Sequence, residues 1–218
     1  MIEATKTPSA ASAENVRPMV SGEAPCVRPI LFSGPMIRAI LDGRKTQTRR
    51  VARLISSGRV ARAGRNWHPD DPNAVLACPF GQPGDRLWVR ETWCMAGPAG
   101  TYDEAPADGR PCWPDALPVE QRCFYRATEP GVDGGWVPSI HMPRWASRIS
   151  LEVIGSRIER LQQISDADSM AEGVAVGKMS MGHIFTAREL FTGLWESING
   201  PESWKANPLV WVISFRVV

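Results

Sequence analysis

The sequence contains no hydrophobic run long enough to span a membrane and no closely spaced pair of metal ligands. Its five cysteines (Cys26, Cys78, Cys94, Cys112, Cys123) form no C-x-x-C pair. The three histidines, His68, His141 and His183, stand far apart, and a structural zinc site would want its ligands clustered. An odd number of scattered thiols fits a reducing compartment better than a disulfide framework. Also missing are G-x-G-x-x-G after a strand, G-x-x-x-x-G-K-[ST], H-E-x-x-H and G-x-S-x-G. Nucleoside triphosphate hydrolysis and zinc-dependent hydrolysis therefore find no support. Residues 1–24 are rich in Ser, Ala, Pro and Glu and lack the apolar stretch of a signal peptide. They predict a disordered tail over residues 1–27. The expectation is a cytoplasmic protein with no metal, no cofactor and no membrane contact, its oligomeric state left open.

Lysine is scarce as well: of 25 basic residues, 21 are arginine. A bias toward arginine suits bidentate phosphate recognition, but a GC-rich genome gives the same bias. The net charge of +2 implies no wholesale affinity for polyanions. Its distribution is more informative. Nine Lys or Arg residues and a single acid, Asp42, fall between Arg38 and Arg65. Such asymmetry points to a phosphate-bearing partner, with a solvated basic loop as the plainer alternative. At 43% hydrophobic and 22% charged, the composition is that of a globular domain. The length favours one domain over residues 28–218, given about 150 residues per domain, with insertions near 56–75 and 95–121.

Pro29-Ile30-Leu31-Phe32 reads as a buried strand. Ser33 as N-cap, Pro35 near the first helical position and Met36, Ile37, Ile40 and Leu41 at helical spacing then predict a helix closed by Gly43. Thr46 to Leu54 mixes β-formers with arginine and suggests an exposed strand, followed by loop over residues 56–73. Gln82-Pro83-Gly84-Asp85 is a turn before a strand from Arg86 to Trp93. Residues 122–128 and 147–161 are strand-like, the latter alternating at Ile149, Leu151 and Val153. Ser165 with Asp168 caps a short helix ending near Gly173. Thr186 with Glu189 forms a capping box for a second, with Leu190, Phe191, Leu194, Trp195 and Ile198 on one side and Gly200-Pro201 at its end. Leu209 to Val218, apolar on both faces, reads as a central strand. This order predicts an α+β fold, a small β-barrel with flanking helices and loop insertions.

Three features carry chemistry. The loop Lys45-Thr46-Gln47-Thr48-Arg49-Arg50 offers an ammonium, two hydroxyls and two guanidiniums within six residues. A lysine can deprotonate a threonine if burial or neighbouring cations depress its pKa, and Arg44, Arg49 and Arg50 are positioned in sequence to supply that pressure. The plainer alternative is an exposed basic strand edge. Glu172 sits at the end of a short helix, where the macrodipole disfavours a carboxylate. It is either a solvated charge or one held for proton transfer or for orienting the lysine. Nine tryptophans include Trp88, two residues from Arg90. Aromatic faces stack on bases, although most tryptophans in a domain of this size belong to the core.

The run Ile40-Leu41-Asp42-Gly43-Arg44-Lys45-Thr46-Gln47-Thr48-Arg49 resembles the opening signature of ASCH domains, and Pro83-Gly84-Asp85-Arg86-Leu87-Trp88-Val89 resembles that family's turn and strand. Residues 161–173 and 210–217 resemble its later segments, and the whole resembles the longer phage and prophage members. The resemblance implies a PUA-like fold and a nucleoside or RNA partner. One small member of the family removes acetyl from N(4)-acetylcytidine with a Lys, a Thr three residues later and a distant Glu. Those positions match Lys45, Thr48 and Glu172 here. The implied function is an amide hydrolase acting on an N(4)-acylated cytosine base, nucleoside or RNA residue, with Arg44, Arg49, Arg50, Trp88 and Arg90 binding substrate. The alternatives are a non-catalytic module binding RNA or a modified base, and a phage structural or assembly protein.

Overall fold

The computed structural model describes residues 25–96, 122–131, 135–175, 179–180 and 183–218. The expected tail and most of the expected 95–121 insertion lie outside them. In chain order the elements are β1 (Val27–Leu31), α1 (Gly34–Leu41), β2 (Gln47–Val51), β3 (Val60–Arg62), β4 (Arg65–Trp67), β5 (Arg86–Arg90), β6 (Trp93–Ala96), β7 (Arg122–Tyr125), β8 (Ser150–Arg160), α2 (Asp166–Ala171), β9 (Met179–Ser180), β10 (His183–Ile184), α3 (Ala187–Asn199) and β11 (Leu209–Val217). The fold is α+β, built on one mixed sheet of five strands in the order β1-β5-β8-β11-β2. β1 runs parallel to β5, and the other pairings are antiparallel.

The two-faced apolarity of β11 has a direct explanation. Alternate residues of a strand point to opposite faces. Trp211, Ile213 and Phe215 enter the larger core with Ile30, Leu87, Val89, Leu151 and Val153. Val210 and Val212 enter a second core with Leu161, Ile164, Phe191 and Trp195, beneath α3. The strand is central because both faces are covered.

A side chain links the two edge strands: Arg50 on β2 donates a hydrogen bond to the Leu31 carbonyl at the end of β1. Phe32, the next residue, packs its ring 6.1 Å from that of Phe215. The larger core fills one side of the sheet, while α2 and α3 cover part of the other.

Two of the three expected side-chain caps form, while Ser33 stands at the N-cap of α1 without a side-chain capping bond. The Ser165 hydroxyl accepts from the Asp168 N–H at 3.1 Å, and Thr186 with Glu189 makes the reciprocal box. Gly43 ends α1 at φ +70°.

Three expectations need correction. Thr46 to Leu54 is not an exposed strand: Gln47, Thr48 and Arg49 are buried, because α2 and the carboxylates of β8 close over the edge. The expected loop over 56–73 contains the β3–β4 hairpin and the start of a 3-10 helix at Pro72–Ala77, whose Ala74 and Ala77 pack into the larger core. The expected strand from Arg86 to Trp93 is two, since the chain leaves the main sheet after Arg90 and Trp93 starts the separate β6–β7 pair.

Candidate active site

Lys45 enters the molecule because the chain turns inward directly after α1. Its backbone N–H donates to the Ala39 carbonyl, and Lys45 pairs with Glu172 in an isolated antiparallel bridge. Thr46 continues the contact, donating to the Ala171 carbonyl. The end of α2 is therefore laid against the open edge of β2. Gly173 permits that approach. It has φ +90°, and a Cβ there would stand 2.9 Å from the Ala39 Cβ and 3.0 Å from the Lys45 Cβ.

The Lys45 ammonium has three donors and three acceptors: Glu172 Oε2 at 2.7 Å, the Glu172 carbonyl at 3.0 Å and the Gln47 carbonyl at 2.8 Å. Its side chain is 0% exposed and that of Glu172 3%. Glu172 Oε1 accepts from Arg49 Nη1 at 3.3 Å. Arg49 also donates to Gln47 Oε1, to Glu159 and to Asp168, which in turn both accept from Arg157. One continuous network of charges runs from Lys45 across the edge of the sheet to Arg157. Burial at this density is tolerable only because nearly every lone pair and proton finds a partner.

Burial pulls the Lys45 ammonium below its ordinary range. Glu172 opposes that shift without cancelling it, while the Arg50 and Arg49 charges add to it. A lysine so placed sheds its proton more readily than an exposed one, as a base for a hydroxyl must.

Thr48 and Arg50 share the opposite side of β2 from Gln47 and Arg49. Their cross-strand neighbours are Ile213 and Trp211, both in the larger core. On that side the Phe32 ring lies 5.7 Å from Lys45 Nζ and 5.3 Å from Arg50 Cζ. The ammonium and the Arg50 guanidinium thus share the Phe32 ring at the seam where Arg50 links β2 to β1, with Thr48 buried on the same side of β2 as Arg50. The lysine's own hydrogen bonds go to Gln47 and Glu172 rather than to Thr48.

The remaining candidates lie elsewhere. Arg44 is exposed and binds Asp42 and the Gly173 carbonyl. Trp88 and Arg90 alternate with the core residues Leu87 and Val89, so they occupy the face opposite the larger core. There Arg90 stacks 4.8 Å from the Trp88 ring and donates to the Met142 carbonyl. Phe32, Glu159, Asp168 and Arg157 were not foreseen as site residues. Only Asp168 carried a local signal, as a helix-cap partner. Glu159 lies 110 positions from Arg49, and no spacing rule links them.

Among the described residues, no group of three or more His, Cys, Asp and Glu is placed to hold a metal, and no helix is long and apolar enough to cross a membrane. Cys26, Cys78, Cys94 and Cys123 are free thiols. The chain matches no family model, no curated protein and no solved structure.

Proposed function

We propose that the chain is a cofactor-independent amide hydrolase of the PUA-like, ASCH type, acting on an N(4)-acylated cytosine base, nucleoside or RNA residue. The observation that carries the reading is the buried Lys45–Glu172 pair at 2.7 Å, at the start of the edge strand that carries Thr48. Thr48 Oγ attacks the exocyclic amide carbonyl and its proton passes to neutral Lys45. The tetrahedral intermediate collapses, and Lys45 returns the proton to the departing cytosine nitrogen. Water then hydrolyses the threonine ester to release the carboxylic acid. Glu172 receives and orients the ammonium throughout, which is the work of a positioning carboxylate. Lys45, Thr48 and Glu172 are at most 4% exposed, so substrate reaches the hydroxyl by a local opening that leaves the Arg50–Leu31 link closed.

The alternative of a module that tracks RNA phosphates draws less support. Lys45 and Arg49, central to the basic segment, are 1% and 5% exposed and are engaged inside the protein. A salt series separates the two. Binding of single-stranded RNA through phosphates weakens with a log–log slope of about −0.7 per neutralised phosphate, whereas turnover of a neutral nucleoside is nearly independent of salt. Salt-independent release of cytidine from N(4)-acetylcytidine supports the hydrolase. Salt-sensitive RNA binding without turnover of any acylated cytidine overturns it.

A further inference from the structure

Arg50 differs from every other cation at the seam. Lys45 has all three donors engaged, and Arg49 is surrounded by Gln47, Glu159, Asp168 and Glu172. Arg50 donates through one terminal nitrogen to the Leu31 carbonyl, while its Nε is buried and has no hydrogen-bond partner among the described residues. A buried donor left empty is costly, so it calls for an explanation. Charge gives part of one. Four cations (Lys45, Arg49, Arg50, Arg157) face three carboxylates (Glu159, Asp168, Glu172), and no carboxylate bonds to Arg50. The empty donor belongs to the cation without a carboxylate of its own, and it lies on the face of β2 that carries the Thr48 hydroxyl.

We infer that Arg50 is the oxyanion-binding residue of this site, its Nε–H receiving the oxygen that turns negative when Thr48 attacks the amide carbonyl. The inference rests on the hydrolase reading and assigns a role that the reading leaves open. Lys45 is the obvious rival for that role, but in this mechanism its nitrogen already takes the Thr48 proton, and the ammonium so formed faces Glu172 and Gln47. Arg50 gives up nothing. During attack the carbonyl π electrons move onto oxygen, the new Oγ–C bond forms, and the hydroxyl proton goes to Lys45. When the intermediate collapses, the carbonyl reforms and the C–N bond breaks, so Arg50 takes and releases no proton. Its link to Leu31 holds the guanidinium in place beforehand, and such preorganisation is what makes an oxyanion donor effective. Because that same link spans the two edge strands, substrate entering the seam meets this donor at the threshold.

The test uses the full chain with N(4)-acetylcytidine as probe, in wild type, Arg50→Ala and Arg50→Lys. Loss of one oxyanion donor lowers kcat on the order of 10²–10³-fold, with KM changed far less. Added guanidinium ion restores part of kcat in Arg50→Ala and nothing in wild type. Should Arg50→Ala fail to fold, Arg50→Lys carries the same forecast, since it keeps the charge but offers no N–H at the Nε position. Turnover close to that of wild type in a folded Arg50 variant overturns the assignment and leaves the hydrolase reading standing. Absence of turnover by wild type overturns that reading, and the role of Arg50 with it.

Discussion

Two glutamates in this molecule are almost equally hidden, Glu172 at 4% and Glu91 at 2% exposure, yet they sit in opposite kinds of surroundings. Glu91 meets a single arginine. Both oxygens of its carboxylate accept from Arg148, at 2.9 and 3.0 Å, and that guanidinium lies 4.0 Å from the Tyr125 ring. The arrangement is planar, paired and complete, with Arg148 still 26% exposed. Glu172 is contested. A lysine takes one oxygen and an arginine the other, both cations are themselves buried, and a hydroxyl and an incompletely bonded guanidinium stand on the same strand. A fork closed on a fork holds structure together. Burial, with the Arg50 and Arg49 charges adding to it, leaves a lysine with a depressed pKa, which is the condition chemistry needs.

The largest effect expected from this contrast is on turnover. Lys45→Ala and Thr48→Ala each lower kcat on N(4)-acetylcytidine by roughly 10⁴–10⁶-fold, and the double variant loses little more, because residues acting as a unit are not additive. Glu91→Gln leaves kcat near wild type. Steady-state kinetics on the four proteins check this, and additive losses at Lys45 and Thr48 would break the shared mechanism.

Stability should separate the two glutamates next. Glu172→Ala strips the partner from a fully buried lysine and one partner from a fully buried arginine, at about 3–5 kcal/mol. Glu91→Gln leaves Arg148 a route to water and costs about 1–3 kcal/mol. Urea denaturation gives both values, and the reverse order would show that Glu91 is the more constrained of the pair.

A smaller signature lies in pH. The Lys45 pKa is lower in the folded protein than its ordinary 10.5, so between the folded value and 10.5 the unfolded chain binds more protons and stability rises with pH. Lys45→Met removes that rise. The smallest effect is at the acid end. Burial tends to raise the Asp168 carboxyl, but Arg157 and Arg49 outweigh it and hold the group below its usual 3.8. Its contribution is complete above that pH and fades as pH falls through the folded value, so Asp168→Asn should flatten the acid limb of Tm against pH.

Much of the scaffold was legible because its signals are local. Ser33, Pro35 and Gly43 bound α1, Thr186 and Glu189 open α3, and the doubly apolar run from Leu209 marks the strand between two cores. The β3–β4 hairpin was not legible, since Arg, Ala, Gly and Asn make up its middle and only Val60 and Trp67, paired at its ends, pack against the larger core. Of the candidate site, Lys45, Thr48 and Glu172 were named through the family resemblance, and the structure pairs Lys45 with Glu172. Nothing local says that Arg49 turns away from solvent, because its partners Glu159 and Asp168 lie 110 and 119 positions along the chain. Nor does any spacing reveal that Phe32 lies beside Lys45 and Arg50, a contact made only by the tertiary fold.

The most direct measurement is the release of cytidine from N(4)-acetylcytidine by purified wild type and by Thr48→Ala, followed chromatographically under identical conditions. The account predicts cytidine and acetate from wild type and neither from the folded Thr48→Ala protein. No release by wild type, or equal release by both, would contradict it.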